Sequence, residues 1–210
     1  MKTNNILFLE DYLDQLFPNP KCELDYQKDY ELLIAVVLSA QTTDKRVNLV
    51  TKVLFSKYPT LLDLSKADIN DVMDIIRPIG TFNKKAHFIL DISRILLDNY
   101  DGKVPNDPKL LQLLPGVGRK TANVVLSNLF DYPAIAVDTH VERVSKRLKL
   151  AKKDDSVLDV EKKLEKVFKK ENWCKRHHQM VLFGRYHCKA ISPECENCKL
   201  KEFCNYNKKK

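Results

Sequence analysis

Apolar residues return at spacings of three and four along most of this chain. Leu33, Val36, Val37 and Ala40 form one such set; Ile89, Ile92 and Leu96, then Val141, Val144 and Leu148, then Val157, Val160, Leu164 and Val167 form others. That period puts each set on one face of an α-helix, and no stretch sustains the alternation of a half-buried strand. The polar punctuation agrees. Asp107 before Pro108 reads as an N-cap followed by the first helical position, Asp68 caps a segment running towards Arg77, and Gly80 and Gly102 stand where helices stop. The expected fold class is all-α, with Ala134-Ile135-Ala136-Val137 as a brief extended piece at most. No internal repeat or low-complexity linker interrupts it, and Lys208–Lys210 reads as a frayed basic end.

One segment breaks the pattern. An apolar helix is expected to end at Leu114, Pro115-Gly116-Val117-Gly118 to make a tight turn, and Arg119-Lys120-Thr121 to open a second helix. Backbone amides at such a helix start, with the positive end of its dipole, hold a phosphate without reading base sequence. A plain connection with glycine at a helix end uses the same residues. In the first turn of that second helix, the dipole and partial burial both disfavour the charged form of Lys120, and a neutral amine is a nucleophile for an aldehyde or a sugar C1′ carbon. The alternative is a surface lysine meeting phosphate as a point charge. Asp138, in Asp138-Thr139-His140, stands at an N-cap position. A carboxylate there ties down amides, and it also suits removal of a proton from an ammonium or stabilisation of positive charge on a sugar ring.

Charge and cysteines narrow the partners. The 36 basic and 28 acidic side chains leave a formal charge of +8, which favours a polyanion such as nucleic acid, although solvated lysine faces account for it equally. The longest apolar run, Leu32–Leu38, is far short of the ~20 residues of a membrane span, and Ile6–Leu9 is too short for a signal peptide. A cytoplasmic protein, nucleoid-associated in a bacterium, is expected. In a reducing compartment Cys188, Cys195, Cys198 and Cys204, separated by six, two and five residues, read as a metal site, while Cys22 and Cys174 are buried or free thiols. Spacing alone leaves zinc and an iron-sulfur cluster both open.

Taken together, Leu114-Pro115-Gly116-Val117-Gly118-Arg119-Lys120-Thr121-Ala122, Val137-Asp138-Thr139-His140 and the four cysteines resemble the endonuclease III family of helix-hairpin-helix DNA glycosylases. Leu38-Ser39-Ala40-Gln41-Thr42-Thr43-Asp44 and Asn83-Lys84-Lys85-Ala86 extend the resemblance over nearly the whole chain. It implies two lobes with a DNA cleft between them. One is a six-helix barrel over residues 22–132, with the helix-hairpin-helix at about 108–127; the other, residues 1–21 and 133–210, carries one 4Fe-4S cluster on the four cysteines. It further implies a monomer that removes oxidised pyrimidines from double-stranded DNA and cuts the abasic site by β-elimination, with Lys120 as nucleophile and Asp138 as catalytic carboxylate. Gln41 would fill the space vacated in the duplex, and Gly116, Val117, Gly118, Arg119, Thr139, His140 and Lys189 would contact the DNA.

Two positions depart from the family. Thr81 stands where relatives often carry a larger apolar wedge, and between Cys188 and Cys195 only Lys189 is basic while Glu194 is acidic, with Lys199 and Lys201 as nearby cations. Lys120 argues against an adenine-mismatch glycosylase, whose members usually carry Ser or Tyr there. A glycosylase for uracil or alkylated bases competes with the oxidised-pyrimidine enzyme, as does a non-enzymatic iron-sulfur DNA-binding module.

Overall fold

In the computed structural model, which describes residues 3–206, the chain folds into eleven α-helices with no strand among the described residues. Lys208–Lys210 lies outside them. The chain divides into two compact units, Met1–Cys22 with Asp131–Lys210, and Glu23–Phe130.

The unit Glu23–Phe130 is built around α2 (Asp29–Leu38), whose residues Leu32–Leu38 are all buried. A helix that is apolar all round has to be covered on every side. Here α3 (Asp44–Lys57), α6 (Phe82–Tyr100) and α8 (Arg119–Leu129) surround it, while α4 (Leu61–Ser65) and α5 (Ile69–Ile76) pack on α6 and α7 (Pro108–Leu111) on α8. Asp68 accepts from the amides of Asn70 and Asp71, and Asp107 from those of Lys109 and Leu110, so both expected caps form. Gly102, at φ +72°, closes α6 by donating its N–H to the Leu96 carbonyl at 2.8 Å.

In the other unit α1 (Thr3–Leu16), α9 (Thr139–Arg147), α10 (Val157–Val167) and α11 (Trp173–Leu182) enclose Leu9, Leu13, Val141, Val144, Val160, Leu164 and Met180. A π-helical turn, Phe183–His187, continues α11 towards the cysteines. Ala134–Val137 is buried and forms neither helix nor strand. Arg176 of α11, 5% exposed, ties α1 in place: it donates to Glu10 Oε1 at 3.0 Å, Asp14 Oδ1 at 2.8 Å and Gln179 Oε1 at 2.8 Å. None of the described helices is long and apolar enough to cross a membrane.

Candidate DNA interface and metal centre

The hairpin between α7 and α8 forms with one difference from expectation. Regular helix ends at Leu111 instead of Leu114, and the chain reaches Pro115 through single turns in which Leu113 and Leu114 donate to the Leu110 and Leu111 carbonyls. Gly116 then takes φ +76°, and a Cβ on it would sit 2.5 Å from the Phe88 ring of α6. Glycine is required there twice over, for the backbone angle and for the space. Gly118 is the N-cap of α8 and has no side chain to cap it, so the helix begins with its amide end uncovered by its own cap residue.

Lys120 lies in the first turn of α8, as expected, but it is exposed where partial burial was expected. Gly118 and Arg119 before it are exposed as well. Val117 is buried and anchors the turn instead of facing outward. In the other unit Asp138 caps α9, its Oδ1 accepting from the amides of His140 at 2.9 Å and Val141 at 2.8 Å. One carboxylate oxygen is engaged in these bonds, Thr139 beside it is exposed, and His140 Nδ1 lies 3.2 Å from an Arg143 guanidinium nitrogen.

Gln41 and Thr81, both exposed, adopt left-handed backbone angles, φ +59° and +57°, which non-glycine residues rarely occupy. Lys189 donates to Glu194 at 2.8 Å and Lys199 to Gln15 at 2.8 Å. Both cations therefore already have partners within their own unit.

The four cysteines line one pocket together with Tyr12, Arg147, Leu148, Phe183 and Tyr206. All four thiols are free of disulfides. Burial pushes the Cys198 thiol up, and the nearby sulfurs of Cys188, Cys204 and Cys195 push it further. Burial likewise raises Cys188, against a hydrogen bond from Arg147. Among the described residues no three His, Cys, Asp or Glu side chains converge on a point that would hold one metal ion. A single zinc needs its thiolates about 2.3 Å away on every side. Four thiolates lining one pocket are equally the donor set of an iron-sulfur cluster.

Arg147 was not legible as part of this site. Its guanidinium donates to Cys188 Sγ at 3.3 Å, to the Lys189 carbonyl at 2.7 Å and to that of Ala190 at 3.2 Å, and it stacks on the Tyr206 ring at 4.0 Å. Arg143, four residues earlier on the same face of α9, donates to the carbonyls of Cys188 at 3.1 Å and Gly184 at 2.6 Å. The spacing of these arginines is the only trace in the sequence.

Comparison with known proteins agrees with this geometry. Residues 34–170 match the family described as HhH-GPD superfamily base excision DNA repair protein. The chain is 47% identical to endonuclease III of Bacillus subtilis (strain 168), covering 100% of this chain and 96% of that one. It is 44% identical to endonuclease III of Escherichia coli (strain K12), covering 91% and 90%. Among solved structures, a trapped endonuclease III-DNA covalent intermediate in an estranged-adenine complex matches with a TM-score of 0.95 and 52% identity, covering 100% and 98%.

Proposed function

Because the chain belongs to the endonuclease III family of HhH-GPD base excision DNA repair proteins, we propose that it removes oxidised pyrimidines through a covalent lysine intermediate and then cuts the strand. It is a DNA glycosylase of base excision repair that acts on double-stranded DNA. The observation that carries the lysine chemistry is the exposed Lys120 in the first turn of α8, directly after the glycine hairpin.

A damaged nucleotide leaves the stack at a cost of a few kcal/mol, least where stacking is already poor. The hairpin amides and the start of α8 hold the backbone phosphate. Lys120 is exposed in the free protein, so the extruded nucleotide itself displaces water from the amine. In the role the family resemblance gives Asp138, a carboxylate would accept the proton of the attacking ammonium and stabilise positive charge on the sugar. The amine lone pair forms the bond to C1′ as the glycosidic bond breaks, and the base departs with that electron pair and a proton. Opening of the sugar ring, with O4′ taking a proton, leaves a C1′–nitrogen iminium. Loss of the C2′ proton then drives out the 3′ phosphate. Gln41 fills the vacated space, and Thr81 presses between bases on the far side. Acting on DNA, the protein would work in the cytoplasm, associated with the nucleoid if bacterial.

Borohydride reduction in the presence of duplex DNA carrying one thymine glycol tests the chemistry. A covalent protein-DNA adduct is expected from the native chain and none from Lys120→Gln. An adduct that survives the substitution removes Lys120 from this role, and adducts formed only with uracil or alkylated substrates reassign the lesion class.

Cys188, Cys195, Cys198 and Cys204 would hold one 4Fe-4S cluster, supported by the pocket they line and by the family. The cluster would cross-link the loop between Cys188 and Cys204, fixing the polypeptide around it. Metal analysis of anaerobically purified protein is expected to give about four irons per chain, and stoichiometric zinc would reject the assignment.

A further inference from the structure

Lys85 is buried, only 4% exposed, inside the unit Glu23–Phe130. Its ammonium donates to the carbonyl oxygens of Leu38 at 2.9 Å and Ala40 at 2.6 Å. These close the C-terminal end of α2, where the helix dipole favours a cation. Its own backbone N–H donates to the Thr81 carbonyl at 3.1 Å, in the first turn of α6. Burial depresses the Lys85 pKa below the ordinary lysine value, and a buried ammonium costs several kcal/mol unless its hydrogen bonds are well formed. A glycine or asparagine after α2 would end that helix without burying a charge.

What distinguishes Lys85 is the pair of segments it grips. Ala40 precedes Gln41, and Lys85 stands in the first turn of α6, whose N-cap is Thr81, so its side chain ties the backbone beside one exposed, strained position to the helix that starts at the other. Strain of this kind persists only where the surroundings over-determine it. Removing the side-chain bonds would free the end of α2 from the start of α6, so that the separation of Gln41 and Thr81 would no longer be fixed.

We propose that Lys85 is a positioning residue that sets Gln41 and Thr81 at a fixed separation, so that both side chains enter a damaged duplex together. This rests on the reading of Gln41 and Thr81 as residues that penetrate the helix. Lys85 is buried and touches no DNA, so it acts on selectivity for damage and not on attraction to the backbone.

The test uses the full chain and duplexes carrying a stable, unreactive abasic analogue, so its outcome does not depend on whether Lys120 is the nucleophile. Lys85→Met, Gln41→Ala and the double variant are compared by affinity for damaged against undamaged duplex. The fluorescence of 2-aminopurine beside the lesion reports base unstacking. Lys85→Met is expected to lower the damaged-to-undamaged affinity ratio about tenfold, within the range of coupling between interacting residues. It should also suppress the fluorescence rise and leave undamaged-duplex affinity and its salt dependence unchanged. Added to Gln41→Ala, it should cost less than on its own. Equal losses on both duplexes, or full additivity with Gln41→Ala, overturn the proposal. A silent Gln41→Ala overturns it through the reading of Gln41. If Lys85→Met does not fold, Lys85→Gln, which loses the charge and is too short to keep both bonds, takes its place with the same expected results; failure of both to fold makes Lys85 a core residue only and rejects the inference.

Discussion

Thr81 carries a branched Cβ at φ +57°, with its hydroxyl donating to the Gly80 carbonyl at 2.6 Å and making no cap bond to α6. Branched residues are the least tolerant of left-handed backbone, and such a residue costs of order 1–3 kcal/mol. Thr81→Asn is therefore expected to stabilise the protein by about 1 kcal/mol in urea unfolding, since asparagine accepts this conformation more readily. The same change should weaken discrimination of damaged from intact duplex if Thr81 works as a wedge. None of this could be read from the sequence, where Thr81 stood out only as smaller than its counterparts in relatives. Lys120 presents the opposite case. Its helix and turn were legible from Gly116, Gly118 and the residues after them, but its exposure was not, because exposure is set by what the rest of the unit leaves uncovered.

Among the elements, the α7–α8 hairpin depends on a close approach between Gly116 and Phe88 of α6. A methyl group there meets both a ring at 2.5 Å and a positive φ. Gly116→Ala should cost about 2–3 kcal/mol by thermal or urea denaturation. It should also weaken DNA binding, because the amides of the turn move with the strain. The glycine pair was visible as a turn signal, while the neighbour that makes Gly116 irreplaceable lies 28 residues away in the chain. The early end of α7 has a similar origin. Apolar periodicity continues through Leu114, but Pro115 removes the next amide donor and the preceding residues settle into single turns.

For the whole molecule, acid stability tests the network that ties α1 to α11. Burial alone would raise the Asp14 carboxyl, but hydrogen bonds from Arg176, Lys175 and Gln179 outweigh it and hold Asp14 well below the ordinary carboxylate range. The folded value is lower than the unfolded one, so the contribution is complete above the unfolded pKa of about 3.9 and is lost as pH falls through the folded value. Asp14→Asn is expected to be less stable than the native chain at neutral pH, with a shallower loss of stability below about pH 4 followed by circular dichroism. Helix class, the caps at Asp68, Asp107 and Asp138, the glycine turn and the cysteine quartet were determined by the sequence. Each depends on residues within a few positions of one another, where backbone geometry and local hydrogen bonding decide. Tertiary structure alone decided that Lys85 ties the end of α2 to the start of α6, that Arg147 donates to a cysteine sulfur 41 residues on, and that four thiols line one pocket. Those arrangements follow from packing between helices distant in the chain, which no local pattern encodes.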